Sequence, residues 1–129
     1  KRNDVSVFWD WLPHPVYLFS DLINKKITLK KSVFLPPDNA EVIIDINGVE
    51  GKIKIGWTHP QKIRELKVVG EKGEIKMEPV KSRYTPLQNE VITFAKCLRR
   101  QLRPPSDLKQ ALDVAKIIEN AKSFSQSEK

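Results

Sequence analysis

Cysteine is almost absent from this chain: Cys97 is the only one in 129 residues. No internal disulfide can form, and no cysteine cage can hold zinc. Cys97 falls among Phe94, Ala95 and Leu98 in a helical pattern, where a buried, inert thiol is the favoured reading over a reactive one. A reducing cytoplasm fits this usage. Glycine is scarce as well, with five residues at 48, 51, 56, 70 and 73. None of them builds a G-x-G-x-x-G fingerprint or a Walker loop, so the chain carries no nucleotide cradle of either kind. Gly70 and Gly73 have the spacing of a KH-type loop, but they join two strand-like runs and read as a turn. Histidine occurs twice, as His14 and His59, with no cysteine partner, and no metal site is expected. No apolar run approaches the roughly 20 residues that span a bilayer. The start, Lys1-Arg-Asn-Asp, has no apolar core after it, so no secretory signal is read. Because the chain begins without Met, it is expected to be a fragment or a processed product.

What is present is a globular composition, 40% hydrophobic and 30% charged, with a formal charge of +7. Its length suits one ordinary domain spanning 1–129. The positive charge raises nucleic-acid binding as a reading. The lysines are scattered, however: Lys25, Lys26, Lys30 and Lys31 flank one strand, while Lys52, Lys54 and Lys67 alternate along others. Arg99, Arg100 and Arg103 form the one arginine cluster, and acidic residues are interspersed throughout. Nucleic-acid binding is therefore the weakest of the readings carried forward.

Three segments follow one another. From about 5 to 24 the chain starts with apolar residues and is expected to turn helical after Pro13, since proline is tolerated in a first turn. Val16, Leu18, Phe19, Leu22 and Ile23 make a wide apolar face, and Asn24 with two lysines is a helix stop. From about 27 to 79 the pattern is sheet. Lys26 to Lys30 alternates, Val33-Phe-Leu runs into Pro36-Pro37, and Glu41 to Asn47 is β-branched. Gly48 to Gly51 is read as a turn, after which Ile53, Ile55 and Trp57 point to one face. Arg64 to Gly70 and Glu74 to Glu78 form a hairpin about Glu71-Lys72-Gly73. The last third holds two amphipathic helices. The first starts at Thr85-Pro86 and carries Leu87, Val91, Phe94, Ala95, Leu98 and Leu102; the second is capped by Ser106. The tail from Ser125 is expected to fray. The fold class that follows is α+β: a largely antiparallel open sheet of four or five strands with helices packed on one face. Ile43, Ile53, Ile55, Trp57, Leu66 and Val68 supply much apolar material, and any of it on the uncovered face is most simply buried against a second subunit. The other face is therefore expected to be an oligomer interface.

The chemistry concentrates in Val7-Phe-Trp-Asp-Trp-Leu-Pro-His-Pro-Val-Tyr. Asp10 and His14, four residues apart, land on one side of a helical turn, as a proton-transferring imidazole and the group that orients it would. The alternative is a capping Asp near a helix start beside a core-edge histidine. Trp9 and Trp11 bracket Asp10 and either wall a substrate pocket or pack into the core. His59, before Pro60, reads as a loop or strand-end residue.

These residues resemble the C-terminal domain of the Gfo/Idh/MocA oxidoreductases, the family of glucose–fructose oxidoreductase and inositol dehydrogenase. Asp10-Trp-Leu-Pro-His14 is similar to its Asp-x-x-x-His motif, followed by an apolar helix from Pro15 to Ile23. Gly51-Lys-Ile-Lys-Ile-Gly-Trp-Thr and the run from Lys62 to Ile75 are similar to its central strands and hairpin. Pro86 to Leu98 and Arg103 to Ala115 are similar to its terminal helices. Leu12-Pro13 stands where a glycine-containing step is common. The resemblance implies the substrate-binding and oligomerisation half of an NAD(P)-dependent enzyme that moves a hydride to or from a sugar, sugar derivative or polyol. By that resemblance His14 is the acid/base on the reacting hydroxyl, and Asp10 positions it or contacts the substrate; Trp9, Trp11 and Tyr17 are expected to contact the small-molecule substrate. The family's N-terminal dinucleotide-binding (Rossmann) domain is missing from this chain. No cofactor is then bound by this chain alone, and NAD or NADP is implied only for the full-length enzyme. Two further readings stand beside it: a stand-alone, non-catalytic binding or scaffolding module, and a basic nucleic-acid-binding domain.

Overall fold

The computed structural model describes residues 4–23, 26–61, 63–77 and 83–127. In chain order the elements are α1 (Val7–Trp11), α2 (Pro13–Ile23), β1 (Ile27–Leu35), β2 (Asn39–Ile46), β3 (Val49–Gly56), β4 (Leu66–Gly70), β5 (Gly73–Met77), α3 (Pro86–Arg100) and α4 (Leu108–Ser127). The fold is α+β with antiparallel, open sheets. The chain divides into two compact units, Lys1–Thr58 with Ser106–Lys129, and His59–Pro105.

The first unit is built on an antiparallel meander in the order β1-β2-β3. Period-two alternation sets its two faces. Ala40, Val42, Ile44 and Ile46 of β2 are all buried, opposite Ile27 and Leu29 on one side and Gly51 and Ile53 on the other. Helices cover this face: α4 brings Val114, Ile117, Ile118 and Ala121, and α1 brings Val7 and Phe8. Leu12 and Val16, between and after the short helices, are fully enclosed in the same core. Gly51 is required by this packing, because a Cβ there would lie 2.9 Å from Ile44 Cγ1.

One irregularity in β1 has a clear physical purpose. The register shifts between Leu29 and Lys31, so that Leu29 faces Ile44, Lys31 faces Ile43, and Ser32 faces Val42. An unbroken register would carry Lys31 onto the core face. The extra residue sends it to the open face and places the small Ser32 in the interior instead. On that open face Ile43 sits among charges: Lys52 and Lys54 both reach Glu41, at 3.2 and 3.5 Å, and Lys30 lies 3.4 Å from Asp45. Ile53 and Ile55 belong to the covered side.

The second unit holds the β4–β5 hairpin, which turns through Glu71-Lys72 with Gly73 at φ 131° and carries a Lys67–Glu74 ion pair. It also holds α3, which starts with a reciprocal capping box. The amide of Gln88 donates to Thr85 Oγ1 at 3.3 Å, and the amide of Thr85 donates to Gln88 Oε1 at 2.8 Å. Gln101 ends the helix in the left-handed region. None of the described residues in this unit is buried. Cys97 is half-buried rather than enclosed, its thiol 3.8 Å from the Arg103 carbonyl.

The structure corrects several expectations. The strands form a three-stranded and a separate two-stranded sheet rather than one. The connection between β3 and β4 passes through His59-Pro60, which supplies neither a tight hairpin turn nor a donor at Pro60. Helical structure begins at Val7, before Pro13. Leu12 keeps a helical backbone at φ −67°, ψ −30°, and its amide closes on the Phe8 carbonyl at 3.1 Å, so a first short helix precedes the one that starts, as expected, at Pro13. The turn between β2 and β3 is Asn47-Gly48, with φ of 55° and 89°. Val49 to Gly51 already belong to β3. Asp107, not Ser106, caps α4: its Oδ1 accepts from the Gln110 amide at 2.8 Å. The tail stays helical through Ser127. Asn24, Lys25, Lys62, Glu78 and Pro79, which entered the sequence reading, lie outside the described residues.

Candidate functional site

The α1–α2 joint carries all five of the expected site residues. Pro13 and Pro15 remove two amide donors there, so the turn is held less by its own backbone than an ordinary helix would be. Trp9, Pro13, His14, Tyr17 and Leu18 form one wall of a cavity of about 860 Å³. The opposite wall is the start of α4, with Leu108, Ala111, Val114, Ala115 and Ile118, and with Ser106 and Asp107 just ahead of the helix. The space is an open groove rather than an enclosed cavity, of a volume that can take a small organic molecule. The lining is mainly apolar and aromatic, with polar groups from His14, Tyr17, Ser106 and Asp107 at its edge. His14 is exposed, and Leu108 is 90% exposed at the rim.

Asp10 and Trp11 do not line this cavity. Asp10 turns to the sheet, where its Oδ2 accepts from the Trp57 indole Nε1–H at 2.8 Å in a half-buried setting. Trp11 packs against the core and meets the His14 ring edge-on, with centroids 6.5 Å apart and planes at 66°. Trp9 has a fixed orientation too, because its indole N–H donates to Glu119 Oε1 of α4 at 3.0 Å. The structure thus gathers Trp9, His14 and Tyr17 around one space and puts Asp10 behind it as a tether. His59 lies elsewhere, in a local ring formed with the Gln61 backbone at 2.9 Å.

Two residues that the sequence reading gave no site role now have one: Trp57 and Glu119. The alternation of β3 puts Trp57 on one face with Ile53 and Ile55, but nothing local indicates that this face is the helix-covered one or that its N–H finds Asp10, 47 residues earlier. Glu119 sits 110 residues from Trp9, and only helix packing joins them.

Glu41 lies on the open face of the sheet, away from this cavity. The hydrogen bond from Lys52 holds the Glu41 carboxyl below its ordinary range, with further help from the charges of Lys52 and Lys54 and against a smaller opposing effect of burial. Among the described residues no three His, Cys, Asp or Glu side chains are grouped to hold a metal, and no helix is long and apolar enough to cross a membrane. A dinucleotide needs a glycine-rich turn leading from a strand into a helix. Here Gly48 and Gly73 serve hairpins, Gly51 and Gly56 lie in β3, and Gly70 ends β4, so these residues do not fit that group.

Compared with known proteins, the chain matches no family model, no curated protein and no solved structure.

Proposed function

We propose that this chain is the substrate-facing, oligomer-forming part of a cytoplasmic NAD(P)-dependent oxidoreductase acting on a sugar, sugar derivative or polyol. In this reading the cofactor is held by a dinucleotide-binding domain outside these 129 residues. The observation that supports it is the convergence of Trp9, His14 and Tyr17 on one space: His14 is the acid/base by the Gfo/Idh/MocA resemblance, and Trp9 and Tyr17 are the expected substrate contacts. An exposed imidazole at the edge of an apolar space can take a proton from a hydroxyl or return it. Aromatic walls suit the C–H faces of a sugar ring, and the edge groups suit its hydroxyls. Self-association in this reading uses the open face of the meander, although Ile53, Ile55 and Trp57 pack on the helix-covered side and the open face carries Ile43 among ion-paired charges.

The test is a panel of sugars and polyols with NAD and NADP, run on the protein isolated from its own cells. His14→Ala is expected to lower kcat by about 100-fold or more, the scale for losing general acid/base help. Turnover at the wild-type rate would remove His14 from the mechanism. A stand-alone, non-catalytic binding module is the second reading, favoured by the commitment of Asp10 to a structural hydrogen bond with Trp57. It is supported instead if no cofactor-linked activity appears and ligand binding survives His14→Ala.

A further inference from the structure

We propose that Trp57 is a positioning residue for the cavity, acting through Asp10, and that Asp10 is an oriented strut rather than a carrier of protons. This rests on the reading of the His14 cavity as the substrate site, and it starts from a mechanical problem. A five-residue helix such as α1 has too few internal hydrogen bonds to hold itself. Pro13 and Pro15 then remove two of the N–H donors whose hydrogen bonds would weld it to α2. The direction in which the joint presents Trp9 and His14 must therefore be set from outside.

Two indole–carboxylate hydrogen bonds do this, one from a helix and one from a strand end. From α4, Glu119 accepts from Trp9 at 3.0 Å. From the end of β3, Trp57 donates to Asp10 at 2.8 Å. Such bonds to a charged acceptor are among the stronger ones, and partial burial protects this one from water.

Trp57 is itself firmly anchored, as a strut's foot must be. Its amide donates to the Asp38 carbonyl at 3.2 Å. Its neighbour Thr58 exchanges hydrogen bonds with the Asn39 side chain at 2.7 and 3.1 Å. On the other side, Gly56 lets the Asn39 amide lie across the strand: a Cβ there would fall 1.8 Å from Asn39 Oδ1. The end of β3 is thus clamped to the start of β2, and the clamp's rigidity reaches Asp10 through a single N–H. An Asp10 oxygen held in this direction is occupied as an acceptor, which suits orientation and not proton relay.

The test is a small set of variants of the 129-residue chain, followed by NMR of the tryptophan indole N–H and histidine ring resonances. Trp57→Phe keeps the ring and removes the donor. Asp10→Leu removes the acceptor from the other side and serves where Trp57→Phe fails to fold. Asp10→Asn removes the charge but keeps an oxygen for the indole. The expected result is that Trp57→Phe and Asp10→Leu shift the Trp9 and His14 resonances alike, and that combining them adds nothing further. Asp10→Asn should keep a hydrogen-bonded Trp57 indole N–H. Independent, additive effects of the two changes, or an unmoved His14 in Trp57→Phe, would overturn the proposal. In the full-length enzyme Trp57→Phe should lower kcat about 10-fold, with KM changed less than about twofold, as misorientation of a catalytic group does. A fall in KM-linked binding alone would count against it. The NMR arm needs no activity, so coupling in the chain together with an inactive enzyme defeats the functional reading and leaves the strut standing.

Discussion

The two units of this protein both carry amphipathic elements and use their apolar residues in opposite ways. In the meander unit β2 alternates perfectly, and its inward residues are sealed by α1 and α4. In the hairpin–helix unit the apolar stripe of α3 and the valines of β4 remain exposed, with Phe94 at 63%. Long-range packing holds the first unit together, whereas turn chemistry and a capping box define the second. An amphipathic pattern is therefore a statement about what an element can bury. It does not say that anything is buried there.

Four changes would break or sharpen this contrast. The largest effect is expected from Ile44→Ala, which opens a cavity at the centre of the sealed face and should cost about 2–5 kcal/mol in denaturant unfolding. A loss below about 1 kcal/mol would mean that the first unit is not the stable one. Next comes Gly51→Val, which forces a side chain against Ile44 and should cost about 1–3 kcal/mol through overpacking. Thr85→Ala opens the capping box of α3 and should weaken that helix by about 1 kcal/mol. Amide exchange should quicken across α3 and stay unchanged in β2; a matching change in β2 would show the two units to be one cooperative block. The smallest effect is expected from Phe94→Ala, within about 0.5 kcal/mol, since an exposed ring has little packing to lose.

A pH titration separates the units in a different way. The folded pKa of Glu41 is depressed, chiefly by its hydrogen bond from Lys52. Its contribution to the meander is therefore complete at neutral pH, begins to fall as the pH enters the ordinary glutamate range, and is gone below the depressed folded value. Glu41→Gln should flatten that part of the stability curve. The effect is that of an exposed ion pair, so it should shrink with added salt. A curve unchanged by the substitution would remove Glu41 from the pH dependence.

Residues whose structure depends on near neighbours were legible before any coordinates. Period-two alternation placed Ile53, Ile55 and Trp57 on one face, and Thr85-Pro86 marked a helix start that the capping box bears out. Asn47-Gly48 was equally legible as a hairpin turn, because both of its positions favour positive φ, although the glycines after it drew the reading onward. For α4, both Ser106 and Asp107 are good caps by type, and only the backbone decided that Asp107 reaches Gln110.

The sequence by itself determined the elements, their faces and a compact cluster of Trp9, Asp10, Trp11, His14 and Tyr17 on one short stretch. Local periodicity, turn residues and caps act over a few residues, and each can be read one segment at a time. Only the tertiary structure decided that Asp10 leaves His14's cavity to meet Trp57, that Glu119 steadies Trp9, and that the start of α4 closes the opposite wall. It also decided that the register of β1 slips by one residue to keep Lys31 out of the core. Those outcomes depend on side chains from distant segments competing for the same space and the same hydrogen-bond partners, a competition that exists only once the chain has folded.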